Sequence, residues 1–239
     1  MAIHTGHKIV SDSLIFSVDA SNSKSYSPSQ ALDMSNKKNH GTRNNGVGHT
    51  NDGVKSRWTF DGTDDAISTP IIGTFFDNTT GFTNEMWFSS TKTTRQHIWN
   101  FGVGLGGANL NFNVNDGPYH IWFYWEGNGG NFLVINHTDA DNNGIHLDDG
   151  NIHHAVFTHS GTSNKFYLDG IDRTSLMSTG GTQTMLDVNG GASRYDIGQT
   201  GTSSINFLGN CYSNRIYTRA LTSDEVYSNY RADKERFGV

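Results

Sequence analysis

Three stretches of this chain place side chains of the right type at spacings that could do chemistry. Asp139-Ala140-Asp141-Asn142-Asn143-Gly144 repeats the first half of a calcium loop, with oxygen ligands at alternate positions and a glycine for the sharp turn. Calcium held by Asp139, Asp141 and Asn143 is the metal reading, and a plain polar turn is its rival. Tyr119 to Trp125 is aromatic on both faces. If Ile121, Phe123 and Trp125 fill a core, then His120, Trp122 and Tyr124 share the opposite face of an extended strand. Flat rings beside hydrogen-bonding groups suit the C–H faces and hydroxyl edges of a sugar. The competing reading packs that face under a loop or another subunit. His153-His154 invites a metal reading, but neighbours on a strand point to opposite faces and cannot easily share one ion.

Other patterns carry less. Gly102-Val103-Gly104-Leu105-Gly106-Gly107 fits a dinucleotide fingerprint, yet Ala108 to Val114 alternates like a strand where that motif needs a helix. The single Cys211 excludes an internal disulfide and a cysteine metal site. Glu85, Glu126, Glu225 and Glu235 show none of the spacings that set two carboxylates across a glycosidic bond, and there is no nucleophile elbow. No catalytic residue is assigned.

The elements that would position these groups are short strands and turns. Of 239 residues, 28 are Gly and 3 Pro, and hydrophobic residues make up only 34%, but the 12% of aromatics bury enough surface for a thin two-sheet core. Asn151 to Arg173 reads as a strand, a polar turn and a return strand in which Phe166 and Leu168 share one face, ending at the turn dipeptide Asp169-Gly170. Further strands are expected at Leu14–Asp19, Gln96–Phe101, Ala108–Val114, Phe132–Asn136, Arg194–Gly198 and Gly209–Tyr217. Thr222 with Glu225 three residues on is a capping box, and Val226 and Tyr230 lie on one helical face. A net charge of −6 without a Lys/Arg cluster argues against nucleic acid or an anionic membrane as partner. The first residues contain no apolar run of signal-peptide length, so synthesis in the cytosol is expected.

These segments carry a resemblance. His153-His154-Ala155-Val156 followed by Phe166-Tyr167-Leu168-Asp169-Gly170 is similar to the hairpin signature of laminin-G-like, concanavalin A-like jelly rolls, with Ile152 where that family usually has Trp. Leu14 to Asp19, Asn39-His40-Gly41-Thr42, Trp58 to Ile67, Phe82 to Phe88 and Asn214 to Thr222 resemble, in the same order, jelly-roll domains often met in tailed-phage virion proteins. The family's calcium-binding Asp is matched here by Tyr212.

The resemblance implies an all-β fold, a two-sheet antiparallel jelly-roll sandwich closed by a short C-terminal helix. One domain spans 1–239, with a short arm at 1–12 and the terminal helix at 222–233. It implies a non-enzymatic structural protein of the virion surface, a head decoration, collar or fibre component able to touch host glycans on a concave sheet. Its partners would be other virion proteins, host surface glycan and further copies of itself, with no cofactor beyond calcium. An extracellular adhesin or lectin module of a cellular organism is the alternative, and a glycan hydrolase a remote one.

Overall fold

Two antiparallel sheets lie face to face, and the alternation of apolar and polar residues along their strands explains why. The computed structural model describes residues 7–70, 81–102, 110–125, 131–161, 163–181, 194–199 and 205–239. Strands are numbered in chain order. The first sheet runs, neighbour to neighbour, β14 (Ile171–Asp172), β13 (Ser163–Leu168), β12 (His153–Ser160), β7 (Phe82–Ser90), β17 (Leu208–Tyr217), β5 (Arg57–Asp61) and β4 (Gly48–Thr50), while β1 (Leu14–Asp19) also pairs with β17. The second runs β15 (Ser178–Gly180), β11 (Asn131–Asn136), β10 (Tyr119–Trp125), β9 (Leu110–Asp116), β8 (Gln96–Phe101), β16 (Tyr195–Ile197), β6 (Ala66–Thr69), β3 (Gly41–Asn44) and β2 (Gln30–Ala31). The order is not that of the chain, as expected of a jelly roll.

Between the sheets lies one continuous aromatic core. Phe112 stacks on Phe123 at 4.7 Å between ring centres, and Phe123 stacks in turn on Phe157 of the facing sheet at 4.8 Å. Phe166 and Leu168 join this core, whereas Tyr167 points the other way, as alternation requires. The Asp169-Gly170 turn has φ of +52° and +78°, the doubly positive pair that matches strand twist in a two-residue hairpin.

The first sheet is covered on its outer face by helix α2 (Ser223–Phe237). Thr222 and Glu225 form the reciprocal capping box that starts it, and Gly238 in the left-handed region ends it. The helix runs to Phe237, four residues beyond the expected end, because Phe237 is buried against Trp87 and Tyr212. A second, short helix α1 (His137–Asn142) follows β11 and was not expected. Residues 1–6 of the N-terminal arm and 103–107 of the glycine-rich run lie outside the described residues.

Candidate functional site

The outer face of the nine-stranded sheet is where aromatic and polar side chains meet. In β10, Ile121, Phe123 and Trp125 are buried in the core, which turns Trp122 and Tyr124 to the outside, each half-buried. Their rings meet edge to face at 5.6 Å, and Tyr119 lies 5.8 Å from Trp122 on its other side. Arg95 sits 5.6 Å above the Trp122 ring and holds Asp116 at 2.8 Å.

Strand register continues this surface across the sheet. Ser68 faces Asp196, Asp196 faces Asn100, Asn100 faces Asn111, and Asn111 faces Tyr124. A second row sets His97 beside Asn113 and Asn113 beside Trp122. The side-chain carbonyls of Asn100 and Asn113, Oδ1 of Asp196 and the indole N–H of Trp122 are buried without a hydrogen-bond partner. Buried polar atoms are nearly always paired, so these unpaired atoms mark a polar layer that lies beneath the sheet's outer face, next to the partly exposed rings of Trp122 and Tyr124. These amides are part of the site that motif searching missed. Their signal was the period-two run Asn111-Phe112-Asn113-Val114-Asn115, apolar toward the core and amide outward.

His120 is not among the partly exposed side chains of this face. It is 2% exposed and sits at a register shift between β10 and β11, under the segment that follows α1. Its Nε2 accepts the backbone N–H of Leu147 at 3.0 Å, and its Nδ1 lies 2.8 Å from Oδ1 of Asn115. An acceptor at Nε2 leaves Nδ1 as the donor to Asn115, so the ring is neutral. Burial lowers its pKa to about 4. Burial, helped by Arg95, likewise holds His97 down at about 3.

The stretch expected as a calcium loop is helical. Asp139 and Asp141 lie in α1, two residues and therefore about 200° apart around its axis, so their carboxylates diverge. Asp139 binds the amide of its N-cap Asn136 at 2.5 Å, Asp141 faces His146 at 3.8 Å, and the Asn143 amide donates to the Asp139 carbonyl at 2.7 Å. The three residues take part in closing a helical turn.

The paired histidines go separate ways. His153 lies between Asp169 and Asp149, at 3.0 and 3.2 Å; burial lowers its pKa but the two carboxylates more than offset this, leaving it raised. His154 is fully buried beneath α2, its ring 4.7 Å from Trp87 and its Nε2 3.2 Å from Glu85. Glu85 is held by Arg215 at 2.7 Å, and Arg215 also binds Asp233 of α2 at 2.6 Å. Burial works against ionisation of Glu85, but Arg215, His154 and Asn229 outweigh it and bring its pKa to about 2. Glu225 is likewise bound by Arg219 and lowered to about 2. Cys211 is fully buried in the core, where desolvation pushes its thiol far up and leaves it inert.

A family model described as the concanavalin A-like lectin/glucanases superfamily matches residues 61–227. Solved structures agree with that likeness in fold. Domain 4 of AbnA, a GH43 extracellular arabinanase from Geobacillus stearothermophilus, solved in complex with arabinotriose, superposes with a TM-score of 0.69 at 13% identity, covering 92% of this chain and 100% of that one. The binding domain of Paraclostridial Mosquitocidal Protein 1 gives 0.68 at 15% identity, over 91% of this chain and 52% of that one. The ligand binding domain of botulinum neurotoxin serotype D, in complex with N-acetylneuraminic acid, gives 0.63 at 11%, over 92% and 51%. The chain thus spans about half the length of the two toxin domains. No curated protein sequence matches it.

Proposed function

Since the chain belongs to the concanavalin A-like lectin/glucanases superfamily, we propose that it is a non-enzymatic glycan-binding module, with Trp122 and Tyr124 as its sugar platform. The observation that carries this reading is the outer face of the nine-stranded sheet, where the partly exposed rings of Trp122, Tyr124 and Tyr119 lie together above a layer of buried amide and carboxylate groups. Such rings take the C–H faces of a pyranose or furanose, and polar groups at their rim take its hydroxyls. Two similar folds were solved with sugars bound, an arabinotriose and an N-acetylneuraminic acid. A hydrolase would need two carboxylates, one of them kept protonated to act as acid. Glu85 and Glu225 are both held ionised by arginines. Burial raises the pKa of Asp196, but that carboxylate is itself bound by Arg194 at 2.6 Å, and no second carboxylate faces it across the sheet, where its partners are Ser68 and Asn100.

Within this reading, the protein is a surface component of a tailed-phage virion. The support is the ordered run of segments from Leu14 to Thr222 that resembles such proteins. Its partners would be neighbouring virion proteins and a host surface glycan. The alternative, a lectin module of a cellular organism, draws on the arabinanase and toxin domains that share the fold.

A glycan array with the intact chain and with Trp122→Ala tests the binding reading. Binding lost in the variant at unchanged fold is expected, and no binding to any glycan by the intact chain refutes it. Mass spectrometry of particles purified from the phage that encodes the chain tests the virion reading, and its absence from those particles refutes that part alone.

A further inference from the structure

Among the described residues, every buried carboxylate but one is held by an arginine or by several N–H donors. Glu85 and Asp233 share Arg215, Asp19 binds Arg236 at 2.7 Å, Asp116 binds Arg95 at 2.8 Å and Asp196 binds Arg194 at 2.6 Å. Asp33 lacks a cation but accepts the backbone N–H groups of Ser17, Ser35 and Asn39. Asp65 has neither kind of support. It is 3% exposed, its Oδ2 accepts a single N–H, from Asp61 at 2.9 Å, and its Oδ1 is buried with no donor at all.

The charges around Asp65 make this worse, not better. Burial raises its pKa, and the carboxylates of Asp61 and Asp64 add to the rise against the single N–H that opposes it. One oxygen from each of these three carboxylates lies within 4.8 Å of the other two. An unpaired buried carboxylate beside two like charges is costly, and a bound cation is what removes that cost.

We propose that Asp61, Asp64 and Asp65, in the turn between β5 and β6, bind a calcium ion. An all-oxygen donor set of carboxylates selects a hard divalent cation, and an irregular turn suits the flexible coordination of calcium better than the strict octahedron of magnesium. Asp61 and Asp64 are exposed, so the ion enters from solvent and keeps waters on that side. Asp65 closes the site from below. The neighbouring turn between β3 and β4 is tied to the same place, because the Asn45 amide donates to the Asp64 carbonyl at 2.9 Å and Gly46 passes beside Oδ1 of Asp65. A filled site therefore fastens two turns at one end of the sandwich.

Calcium alone is titrated calorimetrically into the full chain, with melting temperature followed in parallel. A single site with Kd of roughly 10⁻⁴ to 10⁻³ M is expected, the range of calcium sites with few protein ligands, together with a rise in melting temperature. Asp64→Asn and Asp61→Asn change exposed side chains and keep an oxygen in place, so each should fold normally, bind at least tenfold more weakly and lose the rise. Asp139→Asn should bind like the parent. The proposal falls if millimolar calcium gives neither heat nor a melting shift, or if Asp64→Asn and Asp61→Asn bind with the parent's Kd. It falls also if Asp139→Asn is the variant that abolishes binding.

Discussion

Trp122 and Phe123 are neighbours whose substitution should have opposite consequences, because the sheet sends them to opposite sides. Phe123 is 1% exposed and stacked between Phe112 and Phe157, so Phe123→Ala should cost about 3–5 kcal/mol and impair binding only through unfolding. Trp122→Ala removes a half-buried ring and should cost about 1 kcal/mol while abolishing glycan binding. Denaturation curves beside a binding assay check both, and equal destabilisation would mean that the outer face is as closed as the core. The histidines give a pH signature at the same scale. His120 must be neutral to accept from Leu147, and its folded pKa is about 4 against about 6.5 unfolded. A base with a depressed pKa binds fewer protons folded than unfolded, so its contribution is complete above about pH 6.5 and lost as pH falls toward 4. His97, at about 3, adds to the same loss. Each imidazole can contribute at most about 1.4 kcal/mol per pH unit across that window. His120→Gln should flatten the curve of stability against pH between 6.5 and 4, and an unchanged slope would show that the ring does not titrate with folding.

At the scale of elements, one buried arginine joins α2 to the middle of the first sheet. Arg215 of β17 binds Glu85 of β7 and Asp233 of α2, while Asn229 of the helix donates to Glu85 at 2.6 Å and to the Tyr217 hydroxyl at 3.0 Å. Arg215→Met leaves buried Glu85 without its arginine and Asp233 with only Arg236 at 3.4 Å, and should cost about 3–5 kcal/mol. Denaturant midpoints measure this, and a loss below about 1 kcal/mol would show that the apolar contacts of Trp87, Tyr230 and Phe237 hold the helix unaided. The two strands of this ion pair correspond to two segments, Phe82 to Phe88 and Asn214 to Thr222, whose resemblance to family patterns was visible in the sequence, although nothing local said that they touch. What the sequence shows well is what depends on near neighbours. The capping box at Thr222, the Asp169-Gly170 turn and the faces of β10 and β13 are all of that kind. Helix α1 escaped because six residues are too few for helical periodicity to show, and its Asp139-Ala140-Asp141 spacing mimics a metal loop. His120 escaped for a different reason. Alternation assigns a side chain to a face, but cannot say that residues near Leu147 will fold over that face. The Asp65 environment is invisible for the same cause, since nothing in Asp61-Gly62-Thr63-Asp64-Asp65 says which of the three aspartates is buried.

For the whole molecule, the connections between the chain's ends bear on how it unfolds. β1 near the N-terminus pairs with β17 near the C-terminus, and β17 also pairs with β5 and β7 at the centre of the first sheet. The segment before β1 is tied to the terminal helix as well, through the Val10 N–H to Asn229 at 2.8 Å, and Asp19 at the end of β1 binds Arg236 of α2 at 2.7 Å. The second sheet cannot detach on its own, because Phe112, Phe123 and Trp99 in it pack in the same apolar cluster as Phe88 and Phe157 of the first. Separating the sheets would expose rings that each bury a large apolar area, since among the described residues the main apolar cluster draws on both sheets. We therefore expect one cooperative transition across 1–239, with calorimetric and van't Hoff enthalpies in agreement and near-ultraviolet and far-ultraviolet signals lost together. Removing the chain from Thr222 onward should abolish this transition, because Trp87, His154 and Glu85 would then lose the helix that covers them. Two separable transitions in the full chain, or a cooperative melt in the truncated one, would show that the sheets or the helix fold as independent units.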